Sequence, residues 1–152
     1  MNASELLLFL TRDQLKATFQ AARELPVDKL DWKPATGARS ALDQLQEVAT
    51  ALDFTWDTYT TRKVEWSDEK AEKWKRERSQ FKDLDELEKM ALAGADRLEE
   101  FLKDFDPAEY LAPVQFPWGP LTMAECLAYH YWNSAYHHGQ IVYISSLLEV
   151  PT

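Results

Sequence analysis

Apolar residues recur every three or four positions along most of this chain, in four stretches parted by proline, glycine and charged runs. That spacing predicts amphipathic helices. The first spans about Ser4 to Arg23, where Leu8, Leu15, Phe19 and Ala22 share a face that Leu7 and Leu10 widen. Pro26 and the turn Pro34-Ala-Thr-Gly37 end it. The second starts at the cap Ser40, with Asp43 three residues on as a variant capping box. Its stripe of Leu42, Leu45, Ala49, Leu52, Trp56 and Tyr59 carries it to about Thr61. The third opens near Asp83, with Glu86 as reciprocal partner, and follows Leu84, Leu87, Ala91, Gly94, Leu98, Phe101 and Phe105 until Pro107 stops it. Small residues at 91–95 let a neighbouring helix approach closely. The fourth opens on the capping box Thr122-x-x-Glu125 and runs to about Leu148.

Residues 63–82 break the pattern, being almost all charge with Trp66 and Trp74 among them. They read as a short solvated helix capped by Ser67 and anchored by one of the two tryptophans. A disordered loop is the alternative; a DNA-binding arm fits less well, because acids are interspersed with the bases. Four long amphipathic helices bury their stripes by packing together, so the fold class is all-α, a four-helix bundle forming one domain over 1–152. Connections of roughly fifteen to twenty residues allow a long crossover in place of tight hairpins.

Composition narrows the function classes. The chain is 45% apolar with six Trp, enough for one packed core, and four Gly against seven Pro favour long helices over a turn-rich β fold. Its formal net charge of −9 repels phosphate backbones and anionic lipid, which argues against nucleic acid and membrane as partners. The single cysteine, Cys126, precludes an intrachain disulfide and reads as a small buried packing residue. The N-terminal apolar run lacks a basic segment before it and a cleavage site after it, and no stretch approaches the ~20 apolar residues of a membrane span. A soluble, cytoplasmic protein is expected.

Candidate chemistry concentrates in the fourth helix. Its stripe of Met123, Leu127, His130, Ser134, His137, Ile141, Ile144 and Leu148 is interrupted by polar groups, and all three histidines lie there. Asn133 and His137, four apart, share a face, with His130 and Gln140 three residues beyond on either side. His138 points roughly 100° away and is expected to be more exposed. Polar groups on a buried stripe need partners, and bundle sites are built from such inward side chains. A histidine placed so is more often a hydrogen-bonded core residue than a ligand. No Ser-His-Asp order, P-loop or dinucleotide fingerprint is present.

The run Tyr136-His-His-Gly-Gln-Ile resembles the closing motif His-x-x-x-His-x-Gly-Gln-Ile of the DinB-like family, with His137 at its second histidine. Ser40-Ala-Leu-Asp-Gln-Leu-Gln-Glu-Val resembles that family's second-helix motif, Ser-apolar-x-x-x-Leu-x-His-apolar, and Pro117-Trp-Gly-Pro-Leu-Thr its turn into the last helix. The resemblance implies three histidines holding a divalent ion, usually zinc or nickel. Here Glu47 and Asn133 stand at two of those positions. A Glu47, Asn133, His137 set is harder than three imidazoles and shifts preference away from zinc toward manganese-like or magnesium-like ions. On the helical wheel alone, Glu47 lies about 100° from the apolar stripe and reads as a surface residue, although Ala51 and Phe54 beside it are apolar. A middle reading is a metal-free cluster in which Glu47 pairs with protonated His137 and Asn133 bridges them.

Two functions follow from the resemblance. One is a metal-dependent enzyme, a transferase or hydrolase of the thiol-dependent S-transferase or isomerase type, acting on a small molecule. His130 would then shuttle a proton, and Trp132, Tyr136 and Gln140 would line the pocket. The other is a non-catalytic small-molecule-binding or stress-related bundle with a degenerate, metal-free site. A homodimer is implied in either case.

Overall fold

The computed structural model describes residues 1–149; residues 150–152 of the expected 1–152 domain lie outside them. Four long helices build the bundle: α1 (Ala3–Arg23), α2 (Ala41–Phe54), α5 (Leu84–Lys103) and α6 (Met123–Leu147). Between α2 and α5 lie the short α3 (Asp57–Thr61) and α4 (Asp68–Arg78). Each long helix starts at the side-chain cap its sequence offers. Asn2 and Thr122 form full capping boxes with Glu5 and Glu125, and Ser40 and Asp83 accept from the N–H groups of Asp43 and Glu86.

Each long helix packs beside two others, in the cyclic order α1, α5, α2, α6. Arg12 bridges to Asp96 and Glu99, and Arg23 to Asp85 and Glu88, so α1 and α5 run antiparallel. Leu52 against Gly94 and Asp53 against Arg97 make α2 and α5 parallel. Parallel neighbours need a connection that returns along the bundle. Residues 55–83, carrying α3 and α4, are that crossover.

The core has two halves. One gathers Phe19, Leu45, Leu87 and Ile141, the other Leu98, Val114, Met123 and Leu127. The predicted stripes supply the first half, and Val114 of the loop before α6 joins them in the second.

Two elements depart from the sequence expectation. The second helix does not run unbroken to Thr61, because Thr55 turns its hydroxyl back onto the Ala51 and Leu52 carbonyls and the next N–H groups bond three residues back. That tightens the turn and re-aims the chain into α3. The loop before α6 also holds a hairpin, β1 (Pro113–Phe116) against β2 (Gly119–Thr122), paired antiparallel with Val114 opposite Leu121. Gly119 has φ +126°, a conformation open to glycine, and closes the two-residue turn Pro117-Trp118. The charged segment is the expected helix capped by Ser67, and Trp74 anchors it by stacking on Phe54 with ring centroids 4.0 Å apart. Among the described residues, no helix is long and apolar enough to cross a membrane.

Candidate functional site

The polar break in α6 meets α2 and α4 at one carboxylate. Glu47 Oε1 lies 3.1 Å from His137 Nε2 and accepts from Asn133 Nδ2 at 3.1 Å. Its other oxygen lies 2.7 Å from Arg39 Nη1 and accepts from Arg78 Nη1 at 3.1 Å. Both guanidinium groups also engage Asp43: Arg39 through Nε at 2.5 Å, Arg78 through Nη2 at 3.0 Å. On its far side, His137 Nδ1 sits 3.0 Å from Gln44 Oε1 and 3.1 Å from Gln140 Oε1. His137, Asn133, Gln44 and Arg78 are all buried.

Burial by itself would raise the Glu47 carboxyl. The His137 hydrogen bond, the Arg39 charge and Arg78 overcome that and hold it well below the usual carboxylate range. Asp43 moves the same way: burial opposes, and Arg39 and Arg78 prevail.

A cavity of about 650 Å³ opens next to this cluster. Its walls are the rings of Phe54, Trp66, Trp74, Phe116 and Trp118, with Tyr59, Cys126 and Tyr129 toward the bundle. Two residues join it to the cluster. Tyr129 lines the cavity and its hydroxyl lies 3.4 Å from Asn133 Nδ2; Trp74 lines it and lies 4.7 Å beneath the Arg78 guanidinium. Burial pushes the Cys126 thiol up to about 11 and the Tyr129 phenol up to about 12, so both are neutral at pH 7.

A family model described as the DinB superfamily matches residues 10–141. The chain belongs to the DinB superfamily. The solved structure of YfiT from Bacillus subtilis, a probable metal-dependent hydrolase with an unusual four-helix bundle topology, superposes with a TM-score of 0.83 at 14% identity. That match covers 99% of this chain and 91% of YfiT. YjoA, a DinB-like protein from Bacillus subtilis, matches with a TM-score of 0.63 at 13% identity, over 97% of this chain and 96% of its own. None of the curated proteins matches the chain. At these identities the solved structures share the fold.

The three positions that the DinB resemblance assigns to a metal do come together, since Asn133 and His137 both touch Glu47 Oε1. Their donor set does not suit a divalent ion. Asn133 presents its NH₂ group, and Glu47 is saturated by four donors, two of them cationic. A divalent cation there would sit against two guanidinium charges. Among the described residues, no three His, Cys, Asp or Glu side chains are grouped to hold an ion.

The other sequence candidates lie elsewhere. His130 is outside the cluster, its Nε2 2.6 Å from the Tyr59 hydroxyl and 3.3 Å from Thr55. Tyr59 in turn donates to the Cys126 carbonyl, so an Nε2–H on His130 satisfies both side chains. Burial pulls His130 down to about 4, leaving it neutral at pH 7. Trp132 and Tyr136 stack on each other on the exposed side of α6, 57% and 53% accessible, away from the cavity. Gln140 packs on His137, also away from the cavity.

Sequence reasoning missed Arg39, Arg78, Gln44 and the cavity. The only local signal was spacing: Arg39, Asp43 and Glu47 are four apart, as are Trp74 and Arg78. No sequence pattern says that the second group packs onto the first.

Proposed function

We propose that this DinB-superfamily chain is a small-molecule-binding bundle whose ligand is an apolar, ring-bearing molecule held in the aromatic cavity, with the Glu47 cluster as a metal-free structural knot. The observation that carries this reading is the cavity. Its volume of about 650 Å³ lies in the range of small-molecule sites, and seven aromatic rings line it, alongside threonines and the charged Asp57, Lys63, Glu65, Lys70 and Glu125. Rings of this kind stack on a flat ligand and exclude water from it. The test is titration with naphthalene- and indole-sized compounds, following tryptophan emission from Trp66, Trp74 and Trp118. Saturable quenching is expected, and Leu121→Trp, which fills the cavity from β2, should abolish it in a protein that still folds. Quenching that survives this substitution would remove the cavity from the reading.

One observation favours a second reading, a metal-dependent enzyme acting on a small molecule by hydrolysis or by thiol-dependent S-transfer or isomerisation. Glu47, Asn133 and His137 converge on one point, in a fold shared with a protein described as a probable metal-dependent hydrolase. An ion would have to displace Arg39 and Arg78 from Glu47. Elemental analysis after equilibration with zinc, nickel or manganese separates the two, since only the enzyme reading expects one ion per chain.

A further inference from the structure

We infer that the Arg78 guanidinium is this site's built-in cation and the latch that holds α4 closed over the aromatic cavity. The geometry is specific to one side chain. In α4, Arg78 alone is buried, Ala71 and Trp74 are half-covered, and the other side chains are charged and solvated. Its two terminal nitrogens reach Glu47 and Asp43 on successive turns of α2, and its plane lies over the Trp74 ring. Trp74 stacks on Phe54 and donates to the Thr50 hydroxyl 2.9 Å away, so Trp74 and Arg78 hold the body of the helix against α2, while Gln46 donates to the Ser79 and Phe81 carbonyls just past its end.

The same helix supplies Lys70 and Trp74 to the cavity wall, and the segment before it supplies Lys63, Glu65 and Trp66. Whatever releases Arg78 therefore loosens that wall. Planar guanidinium suits this role, because it can face two carboxylates edge-on while stacking on a ring.

The latch can also open. Arg78 Nε is buried without a hydrogen-bond partner, which weakens the closed state, and helix propensity alone does not keep an eleven-residue charged helix folded on a surface. Arg39 reaches the same two carboxylates from the α2 side, so Glu47 and Asp43 stay paired when α4 lifts. Opening does not strand a buried charge on α2.

The consequence for ligand entry rests on the cavity reading above; the latch itself does not, and it is tested on ligand-free protein. Hydrogen exchange of the full chain should show the amides of 66–80 exchanging about tenfold faster in Arg78→Gln than in wild type, with α1, α5 and α6 unchanged. Arg78→Lys keeps the charge but cannot span both carboxylates, and should give an intermediate rate. Unchanged exchange at 66–80 in Arg78→Gln overturns the latch. If that variant fails to fold, Arg78→Lys decides by the same measure. For the built-in cation, wild type dialysed against Zn²⁺, Ni²⁺ or Mn²⁺ should retain no stoichiometric ion, whereas Arg39→Gln/Arg78→Gln, which frees Glu47 and Asp43, should gain Mn²⁺ binding. A stoichiometric ion in wild type, or no gain in the double variant, overturns that part. Failure of ring compounds to bind leaves both results readable, because neither uses a ligand.

Discussion

Glu47 has more partners than any other side chain in the cluster, and its removal tests the cluster directly. Glu47→Ala leaves two guanidinium groups facing one remaining carboxylate, Asp43, and should cost about 3–5 kcal/mol in urea unfolding. The pH dependence separates two residues. His130 is held neutral, with its value lowered from 6.5 to about 4, so the unfolded chain takes up a proton first as pH falls. Stability is then complete above 6.5 and declines toward 4, by up to about 3 kcal/mol. His130→Gln should flatten that window. Glu47 is depressed below its ordinary 4.5, so its contribution is present above that value and is lost on further acidification. His137, Arg39, Arg78, Asn133 and the neighbouring Asp43 face it. Glu47→Gln should flatten only the limb below 4.5. Urea midpoints measured from pH 7 to pH 3 give both slopes, and a His130→Gln profile parallel to wild type between 6.5 and 4 would rule out the first assignment.

At the scale of elements, α2 approaches α5 at Gly94. A Cβ placed on Gly94 would meet Leu52 Cβ at 3.4 Å, ordinary contact, so Gly94→Ala should change stability little or raise it slightly through helix propensity. Gly94→Leu has no such room and should push the two helices apart at a cost of about 1–3 kcal/mol. Thermal unfolding of the pair checks the contrast; equal losses would mean that the approach is looser than its geometry. The break after Phe54 and the hairpin before α6 serve one purpose in the fold. They bring Tyr59 under His130 and Phe116 and Trp118 to the cavity, positions a straight helix and an irregular loop would not reach.

On the scale of the whole molecule, the parallel packing of α2 and α5 makes the crossover obligatory, and the crossover is what covers Glu47 and walls the cavity. The homodimer implied by the family resemblance is an expectation for solution measurement. Sedimentation should return twice the 17.6 kDa chain mass, and Trp132→Glu, on an exposed site of α6, is the substitution expected to halve it. A wild-type monomer at all concentrations ends that expectation. The net charge of −9 predicts no retention on anionic vesicles or duplex DNA at physiological salt, checked by co-sedimentation and gel shift.

The four helices, their starts and most of their buried stripes were legible in the chain, because capping and three-four spacing are local. The closing motif on α6 was also enough to indicate the family. Glu47 shows where local information stopped. Its wheel position sent it to the surface, and it would be there if α2 were alone with the bundle. Ala51 and Phe54, its apolar neighbours, hinted at a cover, and the cover is α4, whose Trp74 stacks on Phe54 and whose Arg78 closes on Glu47. That pairing joins residues 31 apart through a segment whose sequence is mostly solvated charge. A charge seeks any opposite charge within reach, whereas an apolar stripe has one way to be buried. Helix and stripe were therefore set by the sequence itself, and the choice of partner for each buried charge by the tertiary fold.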